Sequence, residues 1–551
     1  MPGSENGSEL LAALAAVGLR LTRREFIAGA GAGVLGTGVL GATTGKALAQ
    51  EAGDGSSAAP AEPEPAPPIF GFADVAEIAR TRAEKEYSAP SMTLRGPFAN
   101  LEYDQYRAIR FRPEARPLAG SGSAFAIDLL PPGSVYRQRV AISIVRATGI
   151  EDLGFSSDLF EFDPAIFPFP DGIAPSGSGE GMDFSGFRLR SPINSPDVLD
   201  EFLVFQGASY FRGIARSMIF GLSARGLAIG TADPRGEEFP VFRHFWIREP
   251  EPDARDIVVH ALLDSASATG AFEFEIRPGE STVMQTRCRL FPRTEIDQIG
   301  IAPLTSMYYF GPARRRGIDD FRDAVHDSAG LQMITGQGTR LWRPLTNPDR
   351  VEISAFVDEN PKGFGLTQRP LDFGFYQDAE ARYDRRPSGW VEPLGGWGPG
   401  TVMLVEIPVE NEFNDNIVAF WRPRDPLKPS PEGHDFSYRL HWCAAPPDAA
   451  PLARVKATRG GRSIHNAAMR DFAVDFVTAP DSNPALRGTL TASTGKVSPV
   501  TLTPLPGGQL IRAAFTFEPG DAEAAELQLA LEDEAGLRQS ETWLYRWTAE
   551  R

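Results

Sequence analysis

A strict alternation of apolar and charged side chains is the feature that most restricts the fold of this chain. From Phe272 to Arg277 the order is Phe-Glu-Phe-Glu-Ile-Arg, the pattern of a strand with one face buried and one face in water. Further runs with strand character are Arg137–Val145, Ala224–Ile229, Arg350–Val357 and Val402–Pro408. Turn-forming clusters such as Pro131-Pro-Gly133 separate these runs, and the chain holds 55 Gly and 47 Pro. Long helical patterns are few, so we predict an all-β protein of packed antiparallel sheets.

A break in this pattern predicts two domains. Arg422–Gly433 contains four prolines, which stop both helix and sheet, and we place a linker over residues 423–433. Before it lies a large β-sandwich of residues 70–422, opening with a predicted helix over Asp74–Tyr87; after it lies a domain of residues 434–551. The strand-like runs of this second domain are Phe436–Trp442, Phe472–Val477, Gly488–Ala492, Ile511–Phe517, Leu527–Leu531 and Thr542–Trp547. Six or seven short strands in roughly 115 residues are typical of an immunoglobulin-like sandwich.

The first 49 residues have the character of an export signal. Paired arginines in Thr22-Arg23-Arg24-Glu25-Phe26-Ile27 precede a glycine-rich, mildly apolar run that ends in Ala47-Leu-Ala49. The arginine pair is a receptor-read address and the Ala-x-Ala step suits a signal peptidase, so we predict a twin-arginine signal peptide over residues 1–49. A membrane-spanning helix is disfavoured by the many Gly and Thr residues and by Lys46. Residues 50–69 read as a disordered Ala, Pro and Glu linker. No later segment is long and apolar, so we do not expect an integral membrane protein.

Charge and cysteine content exclude several classes of function. The formal net charge of −17 argues against nucleic acid or anionic lipid as a partner and suits a protein that handles neutral ligands. The two cysteines, Cys288 and Cys443, lie in separate strand-like runs, which favours buried thiols over a disulfide. The six histidines are scattered, and no Cys/His spacing resembles a zinc site. We therefore expect neither a metal nor a cofactor.

Three stretches combine carboxylates, aromatic rings and glycines in a way that a plain β core does not require. They are Val325–Leu331 followed by Trp342, then Asn360–Leu366 with Arg382–Pro387 and Trp390, and finally Glu410–Ile417 leading to Trp421. Aromatic rings beside carboxylates and amides are typical of sugar sites, where ring faces meet C–H patches and polar groups bind hydroxyls. Simpler interpretations stay open: Asx-capped turns, loop capping by Asp327, and core packing of Tyr383 and the tryptophans. Arg382, Arg385 and Arg386 could neutralise carboxylates instead of contacting a ligand.

A series of longer motifs follows along the chain. They are Tyr103–Pro113 (Tyr-Asp-Gln-Tyr-Arg-x-Ile-Arg-Phe-Arg-Pro), Gln206–Arg212, Gly221–Ile229, Glu237–Arg243 with Phe245–Ile247, Val325–Ser328, Asn360–Leu366, Arg382–Asp384 and Asn414–Val418. Together they resemble the periplasmic glucans biosynthesis protein family, types G and D. The resemblance runs from about Phe70 to the last residues, with its dense motifs in the first domain. The twin-arginine leader favours the D type, because the G type resembles proteins exported by the Sec route.

The resemblance implies a fold and a function. The implied fold is a galactose-mutarotase-like β-sandwich followed by an immunoglobulin-like sandwich, in agreement with the strand pattern. The implied function is a role in making osmoregulated periplasmic glucans, which places the protein in the periplasm and makes β-1,2-linked glucan its ligand. Members of the family act as inverting endo-glycoside hydrolases on β-1,2-glucan, and some relatives are transglycosylases that cyclise the chain.

The motifs also assign roles to individual residues. The two catalytic aspartates of the family fall on Asp327 and Asp415, its accompanying glutamate on Glu412 and its tyrosine on Tyr383. We take Asp415 as the acid and Asp327 as the base, with Tyr383 and Glu412 ordering the proton relay. The side chains expected to bind substrate are Trp342, Arg382, Trp390, Trp421 and His326.

Two positions depart from the usual family pattern, and they leave hydrolysis versus transfer open. Ala329 stands where members often have Asp, and Phe413 where they often have Thr. One alternative is a transglycosylase that cyclises the glucan. A second is a non-catalytic glucan-binding scaffold, for which a membrane glucan synthase would be a further partner. A homodimer is compatible with the sequence, which decides neither the oligomeric state nor the role of the C-terminal domain.

Overall fold

The structure is a computed structural model that describes residues 70–549, apart from residues 119–120, 176, 316, 449 and 479–484. The predicted leader (1–49) and linker (50–69) lie outside these residues. The α-helices of the described part are α1 (Phe72–Ala83), α2 (Tyr103–Arg107) and α3 (Phe373–Tyr376). No helix in this part is long and apolar enough to cross a membrane.

Strands account for most of the regular structure, as the alternating sequence predicts. The strands of the first part of the chain are β1 (Ile109–Phe111), β2 (Ala126–Leu130), β3 (Ala141–Arg146), β4 (Gly149–Asp152), β5 (Phe160–Phe162), β6 (Gly186–Ser191), β7 (Asp200–Gln206), β8 (Tyr210–Gly213), β9 (Ser223–Arg225), β10 (Ala228–Ile229), β11 (Val241–Arg248), β12 (Ile257–Asp264), β13 (Ala268–Arg277), β14 (Thr282–Pro292), β15 (Ile299–Ser306), β16 (Tyr308–Phe310) and β17 (Val325–His326). The remaining strands are β18 (Gly330–Ile334), β19 (Arg340–Pro344), β20 (Glu352–Glu359), β21 (Gly363–Thr367), β22 (Ser388–Leu394), β23 (Pro399–Glu406), β24 (Ile417–Pro423), β25 (His434–Cys443), β26 (Arg454–Arg462), β27 (Arg470–Val477), β28 (Arg487–Ala492), β29 (Lys496–Val497), β30 (Thr501–Pro504), β31 (Leu510–Glu518), β32 (Ala524–Glu532) and β33 (Thr542–Thr548). The prediction of an all-β protein is confirmed.

Two large sheets face each other and enclose the main core. One has the order β2-β6-β7-β8-β9-β15-β24-β23-β20, with β10 added beside β15. The other has the order β28-β32-β33-β19-β18-β21-β22-β25-β14-β13-β12-β11-β3-β4. Aromatic side chains meet between the sheets: the ring centroids of Phe205 on β7 and Phe274 on β13 are 5.3 Å apart. Helix α1 covers the opposite face of β12–β14, where Phe72, Val75 and Ala79 are buried. The apolar half of each alternating strand is what closes the sandwich.

Both cysteines lie on strands of the fourteen-stranded sheet. Cys288 on β14 and Cys443 on β25 are buried and unbridged. Burial raises the pKa of each thiol to about 12. The prediction of two buried thiols is therefore confirmed.

The second domain is a small sandwich joined to the first by a shared sheet. Strands β28, β32 and β33 form one layer, and the other layer has the order β26-β27-β31-β29 with β30 beside β31. Phe472, Phe515 and Trp543 are buried between the layers. Strand β33 also pairs in parallel with β19, placing Thr542 opposite Leu341 and Trp543 opposite Trp342. One sheet therefore runs continuously through both domains.

The domain boundary predicted at residue 434 is too early. Strand β25, His434–Cys443, pairs with β14 along one edge and with β22 along the other, in the middle of the large sheet. The proline-rich segment 423–433 consequently connects β24 in one layer of the first sandwich to β25 in the other. The second domain begins after Cys443. Prolines predicted a break in the strand pattern, but a crossover between layers breaks it in the same way as a linker does.

A charged contact fixes the junction between the domains. The guanidinium of Arg369, which follows β21, donates to both carboxylate oxygens of Glu541 in the second domain, with a distance of 2.8 Å from Nη2 to Oε2. The Glu541 carboxylate also accepts a hydrogen bond from the Val455 backbone N–H. The Arg369 guanidinium lies over the ring of Trp342, 3.6 Å from its centroid. The second domain is thus attached by hydrogen bonds as well as by the β19–β33 pairing.

We expect Glu541→Gln to destabilise the folded protein. The amide still accepts a hydrogen bond but leaves the largely buried Arg369 without its counter-charge, which should lower the free energy of unfolding by about 2 kcal/mol. Urea denaturation followed by tryptophan fluorescence measures this change. Glu526→Gln is the matched control, because Glu526 is half exposed and pairs with Arg546 at the surface; its effect should stay below about 0.5 kcal/mol. Equal effects of the two substitutions would contradict a structural role for the buried contact.

Candidate active site

The segments that carry the two predicted catalytic aspartates are hydrogen-bonded to two consecutive residues of the first sandwich, Ser306 and Met307. The backbone N–H of Asp327 donates to the Met307 carbonyl at 2.9 Å. On the other side, the backbone N–H of Asn416, next to Asp415, donates to the Ser306 carbonyl at 3.0 Å. Ser306 ends β15 and Met307 follows it, so two residues that are almost ninety positions apart in sequence are held beside each other.

The side chain of Asn416 locks the Asp415 loop onto this segment. Its Oδ1 accepts from the Tyr308 N–H at 2.8 Å, and its Nδ2 donates to the carbonyls of Tyr308 and Ile407 at 3.0 and 2.9 Å. Asn416 is fully buried, so water cannot take over its hydrogen bonds to these three backbone groups. The carboxamide of Asn416 therefore fixes the backbone next to Asp415.

Asp415 is a buried acid with an incompletely satisfied carboxyl group. Its side chain is 8 % exposed, and Oδ2 lies 4.0 Å from Nη2 of Arg212 on β8. Among the described residues, nothing donates a hydrogen bond to this oxygen. Burial raises the pKa of Asp415 from its ordinary value of 3.8 to about 6; Arg212 opposes this shift, and the negative charge of Asp327 adds to it. The carboxyl group of Asp415 thus keeps its proton in mildly acidic solution, up to about pH 6.

Asp327 has a closer cation. It is 7 % exposed, and its Oδ1 lies 3.3 Å from Nη1 of Arg386, without an aligned hydrogen bond from any residue of the described part. Burial raises the pKa of Asp327 above its ordinary value; the positive charges of Arg386 and Arg212 offset part of the rise, and the negative charge of Glu412 adds to it. The nearer guanidinium favours the ionised form at this position.

Tyr383 is held beside Asp327 by a second buried carboxamide. The amide nitrogen of Gln368, Nε2, donates to the carbonyl of His326 at 2.8 Å and to the carbonyl of Tyr383 at 3.2 Å. Burial raises the pKa of the Tyr383 phenol, and the nearby carboxylates of Glu412 and Asp327 raise it further. Tyr383 is therefore a neutral hydroxyl among acids, able both to donate and to accept a hydrogen bond.

Glu412 is positioned by Arg322, a residue that the sequence did not single out. The Arg322 guanidinium is buried and contacts three carboxylates: Glu412 at 2.6 Å, Asp320 at 2.6 Å and Asp378 at 2.8 Å. Asp378 in turn accepts backbone N–H bonds from Glu380 and Ala381, at the start of the turn that carries Tyr383. Arg322 thus links the Glu412 loop to the Tyr383 turn.

The structure brings together only some of the predicted binding residues. Arg382 precedes Tyr383 and donates to Asp384 through Nε and Nη2. His326 is buried, with its ring stacked on Tyr308 and its Nδ1 3.0 Å from Gln368 Oε1; burial lowers its pKa to about 4. His326 therefore supports the Asp327 segment as a neutral ring.

The three tryptophans predicted to bind substrate lie inside hydrophobic cores. Trp421 packs against Trp397 in the main core, Trp390 lies against Gly363 in the same sandwich, and Trp342 lies in the core of the domain junction. Their ring faces contact protein, so they offer no platform for a sugar. Core packing, the alternative that the sequence left open, describes their positions.

Two arginines beside the acids were missed as site residues. Arg212 approaches Asp415, and Arg225 lies close enough to lower its pKa; Arg225 bonds Glu237 at 2.7 Å and Thr305 at 2.9 Å. Both stand in motifs that carried the family resemblance, Gln206–Arg212 and Gly221–Ile229, and this was the only sequence signal for them. Arg386 lies against Asp327, as expected from the interpretation that Arg382, Arg385 and Arg386 neutralise carboxylates.

The arrangement suits acid–base chemistry. Two buried aspartates, each with an oxygen that accepts no hydrogen bond from the described residues, stand near a neutral tyrosine and a fixed glutamate. Paired carboxyl groups of this type are the machinery of glycoside hydrolysis. Three or more His, Cys, Asp or Glu side chains placed to hold a metal ion do not occur in the described ranges.

Comparison with known proteins places the chain in a family. The model of the family described as periplasmic glucan biosynthesis protein, MdoG, matches residues 70–547. The chain belongs to this periplasmic glucan biosynthesis protein family. It is 45 % identical over 482 residues to glucans biosynthesis protein G of Vibrio cholerae, covering 86 % of each chain. It is 42 % identical over 513 residues to the protein of the same name from Rhodopseudomonas palustris, covering 93 % of this chain and 99 % of the relative.

A further relative extends the range of organisms. Glucans biosynthesis protein G of Bradyrhizobium diazoefficiens is 42 % identical over 482 residues, 87 % of this chain and 93 % of that protein. The family resemblance read from the sequence motifs is thereby confirmed. These relatives carry the type G name, whereas the expectation of type D rests on the leader, outside the described residues. For this member of the periplasmic glucan biosynthesis protein family, the matched region contains all four predicted catalytic residues.

We expect Asp415→Asn to stabilise this protein at neutral pH. The pKa of Asp415 is higher in the folded protein than in the unfolded chain, so the folded state holds an extra proton between about pH 4 and pH 6. The free energy of unfolding consequently falls as pH rises through that window, by about 3 kcal/mol. Asparagine removes this penalty, so the variant should gain stability at pH 7.5 and lose the gain towards pH 4. Urea denaturation across this pH range measures it.

Asp378→Asn is a control of opposite sign. Burial raises the pKa of Asp378, but the Ala381 N–H and Arg322 outweigh it, and the net pKa is lowered. Its stabilising contribution is present above the unfolded pKa and is lost as pH falls through the lower folded pKa. This variant should be less stable than the wild type at pH 7.5, and the difference should shrink in acid. The same sign of effect for both aspartates would contradict the proposed electrostatics.

Proposed function

We propose that this protein acts in the periplasm as an inverting endo-glycoside hydrolase on β-1,2-linked glucan and thereby controls the backbone structure of osmoregulated periplasmic glucans. Membership of the periplasmic glucan biosynthesis protein family supports the compartment and the pathway. The paired arginines Arg23 and Arg24 support export by the twin-arginine route. The observation that carries the enzymatic part is the pair of buried aspartates, Asp327 and Asp415, each with an oxygen that accepts no hydrogen bond from the described residues.

In the proposed reaction Asp415 protonates the oxygen of the leaving glucose unit. A general acid must hold its proton at working pH, and a pKa of about 6 allows this in mildly acidic solution. Asp327 acts as the base and takes a proton from the attacking water, because Arg386 at 3.3 Å favours its ionised form. Water attacks the anomeric carbon as the bond to the leaving oxygen breaks, and the configuration inverts.

Tyr383 and Glu412 order the proton path in this proposal. The neutral phenol of Tyr383 lies near both Asp327 and Glu412, as their effect on its pKa indicates. It can pass a proton between a water molecule and Asp327 without becoming charged. Glu412 is fixed by Arg322 and orients the hydrogen-bond chain.

Incubation of the chain from residue 50 onward with linear β-1,2-glucan is the direct test. We expect shorter linear glucans by mass spectrometry, and NMR should show the new reducing ends first as the α anomer, since a β linkage is inverted. Cyclic or re-linked products with few new reducing ends would instead indicate the transglycosylase. Glucan binding without any product would indicate the scaffold.

We expect Asp327→Asn and Asp415→Asn each to lower kcat by about a thousandfold, the usual range for loss of an acid or base. Reducing-end release from linear β-1,2-glucan measures this. Asp435→Asn is the matched control, because Asp435 pairs with Arg289 at the surface of the large sheet and should leave kcat unchanged. Full activity of both active-site variants would rule out this mechanism.

We expect kcat/KM to fall as pH rises through about 6. Asp415 loses its proton there and can no longer act as the acid. Arg212→Met should move this limb to higher pH, because the cation that lowers the pKa of Asp415 is removed. Initial rates from pH 4 to pH 9 measure the profile. A limb that Arg212→Met leaves in place, or moves to lower pH, would contradict the role of Asp415.

A further inference from the structure

Phe321 is a strongly exposed aromatic side chain on a rigidly held loop. Its side chain is 74 % exposed, an unusual position for a phenylalanine. Both neighbours in sequence are fixed: the Arg322 backbone N–H and Nε donate to Asp320 Oδ1, each at 2.9 Å. The exposure of the ring is therefore built into the loop.

The same loop forms part of the proposed active site. Arg322 Nη2 bonds Glu412 at 2.6 Å, and the Phe321 ring centroid lies 6.0 Å from the Arg322 Cζ. The ring thus stands beside the guanidinium that positions Glu412.

Phe373 occupies a comparable position on the Tyr383 side. It is 42 % exposed at the start of α3, and its ring centroid lies 5.8 Å from the Cζ of Arg382. Arg382 precedes Tyr383 and is tied to Asp384 by two hydrogen bonds. Phe321 and Phe373 are here called the aromatic rim. Arg322, next to Phe321, bonds Asp378 at 2.8 Å and so joins their two segments.

We propose that the aromatic rim binds the glucan chain by stacking on glucose units near the cleaved linkage. This inference rests on the proposed function and assigns a binding surface to the substrate of that function. Pyranose rings present C–H faces that an exposed, rigid aromatic ring covers without losing a hydrogen bond. The buried tryptophans cannot supply such a face, whereas these two phenylalanines can. Phe321 lies on the segment whose Arg322 bonds Glu412, and Phe373 on the segment that leads to Tyr383, which favours the substrate of that site as the occupant over a protein partner.

The test measures binding apart from cleavage. In an Asp415→Asn background, the affinity for linear β-1,2-glucan is determined by isothermal titration calorimetry. Adding Phe321→Ala or Phe373→Ala should weaken the affinity about tenfold each. Phe321→Trp should retain the affinity, and Phe321→Leu should lose it, because leucine is apolar but has no flat face.

Val357→Ala in the same background is the control. Val357 is also strongly exposed, but it lies on the edge strand β20 opposite Thr401, five residues before the end of β23 that leads to Glu412, and its loss should leave the affinity unchanged. Unchanged affinity in both phenylalanine-to-alanine variants, equal binding by Phe321→Leu, or no glucan binding in the parent variant would overturn the inference. A change of oligomeric state with Phe321→Ala, seen by light scattering, would also overturn it and assign the ring to a protein contact.

Cleavage by the wild-type chain is assayed separately. Glucan binding that depends on the aromatic rim but occurs without cleavage would support the role of the rim and refute hydrolysis. Cleavage that is unchanged by both Phe321→Ala and Phe373→Ala would support hydrolysis and refute the role of the aromatic rim.

Discussion

The carboxamide of Asn416 is the interaction on which the geometry of the site depends. It satisfies the Tyr308 N–H and C=O and the Ile407 C=O, all within the protein interior. An apolar residue at this position would leave three buried backbone groups unpaired, at a cost of about 1–3 kcal/mol each. Gln368 acts in the same way between His326 and Tyr383. The side-chain amides of Asn416 and Gln368 therefore hold segments that are distant in sequence together at the candidate site.

The molecule treats its buried acids in two ways. Glu406 bonds Arg343 and both the N–H and hydroxyl of Thr346, and Glu541 bonds Arg369 and the Val455 N–H. These acids are fully paired and hold the fold together. Asp327 and Asp415 face arginines at 3.3 and 4.0 Å, yet each keeps an oxygen without a hydrogen bond from the described residues. A buried carboxyl oxygen without a hydrogen bond opposes stability, so two such oxygens on neighbouring aspartates are consistent with the proposed functional site.

The continuous sheet explains why the second domain is not an independent module. Its strand β33 pairs with β19, and Trp342 packs into the core of the junction. Strand β18, which pairs with β19, begins three residues after Asp327. The second domain is thus connected through two strands to one side of the proposed active site.

The sequence by itself determined the all-β class, most strands of both domains, the buried thiols and the identity of the four candidate catalytic residues. The alternation of apolar and charged residues shows which face of each strand is buried, and the motifs keep their order along the chain. Both features can therefore be recognised in the sequence alone. Only the tertiary structure decided which rings face solvent, where β25 belongs, and that Arg212, Arg322 and Arg386 neutralise the acids. Tryptophan and phenylalanine look alike in a pattern, but exposure is set by the layer packed against them. That is why Trp342, Trp390 and Trp421 are core residues, while Phe321 and Phe373 lie at the surface.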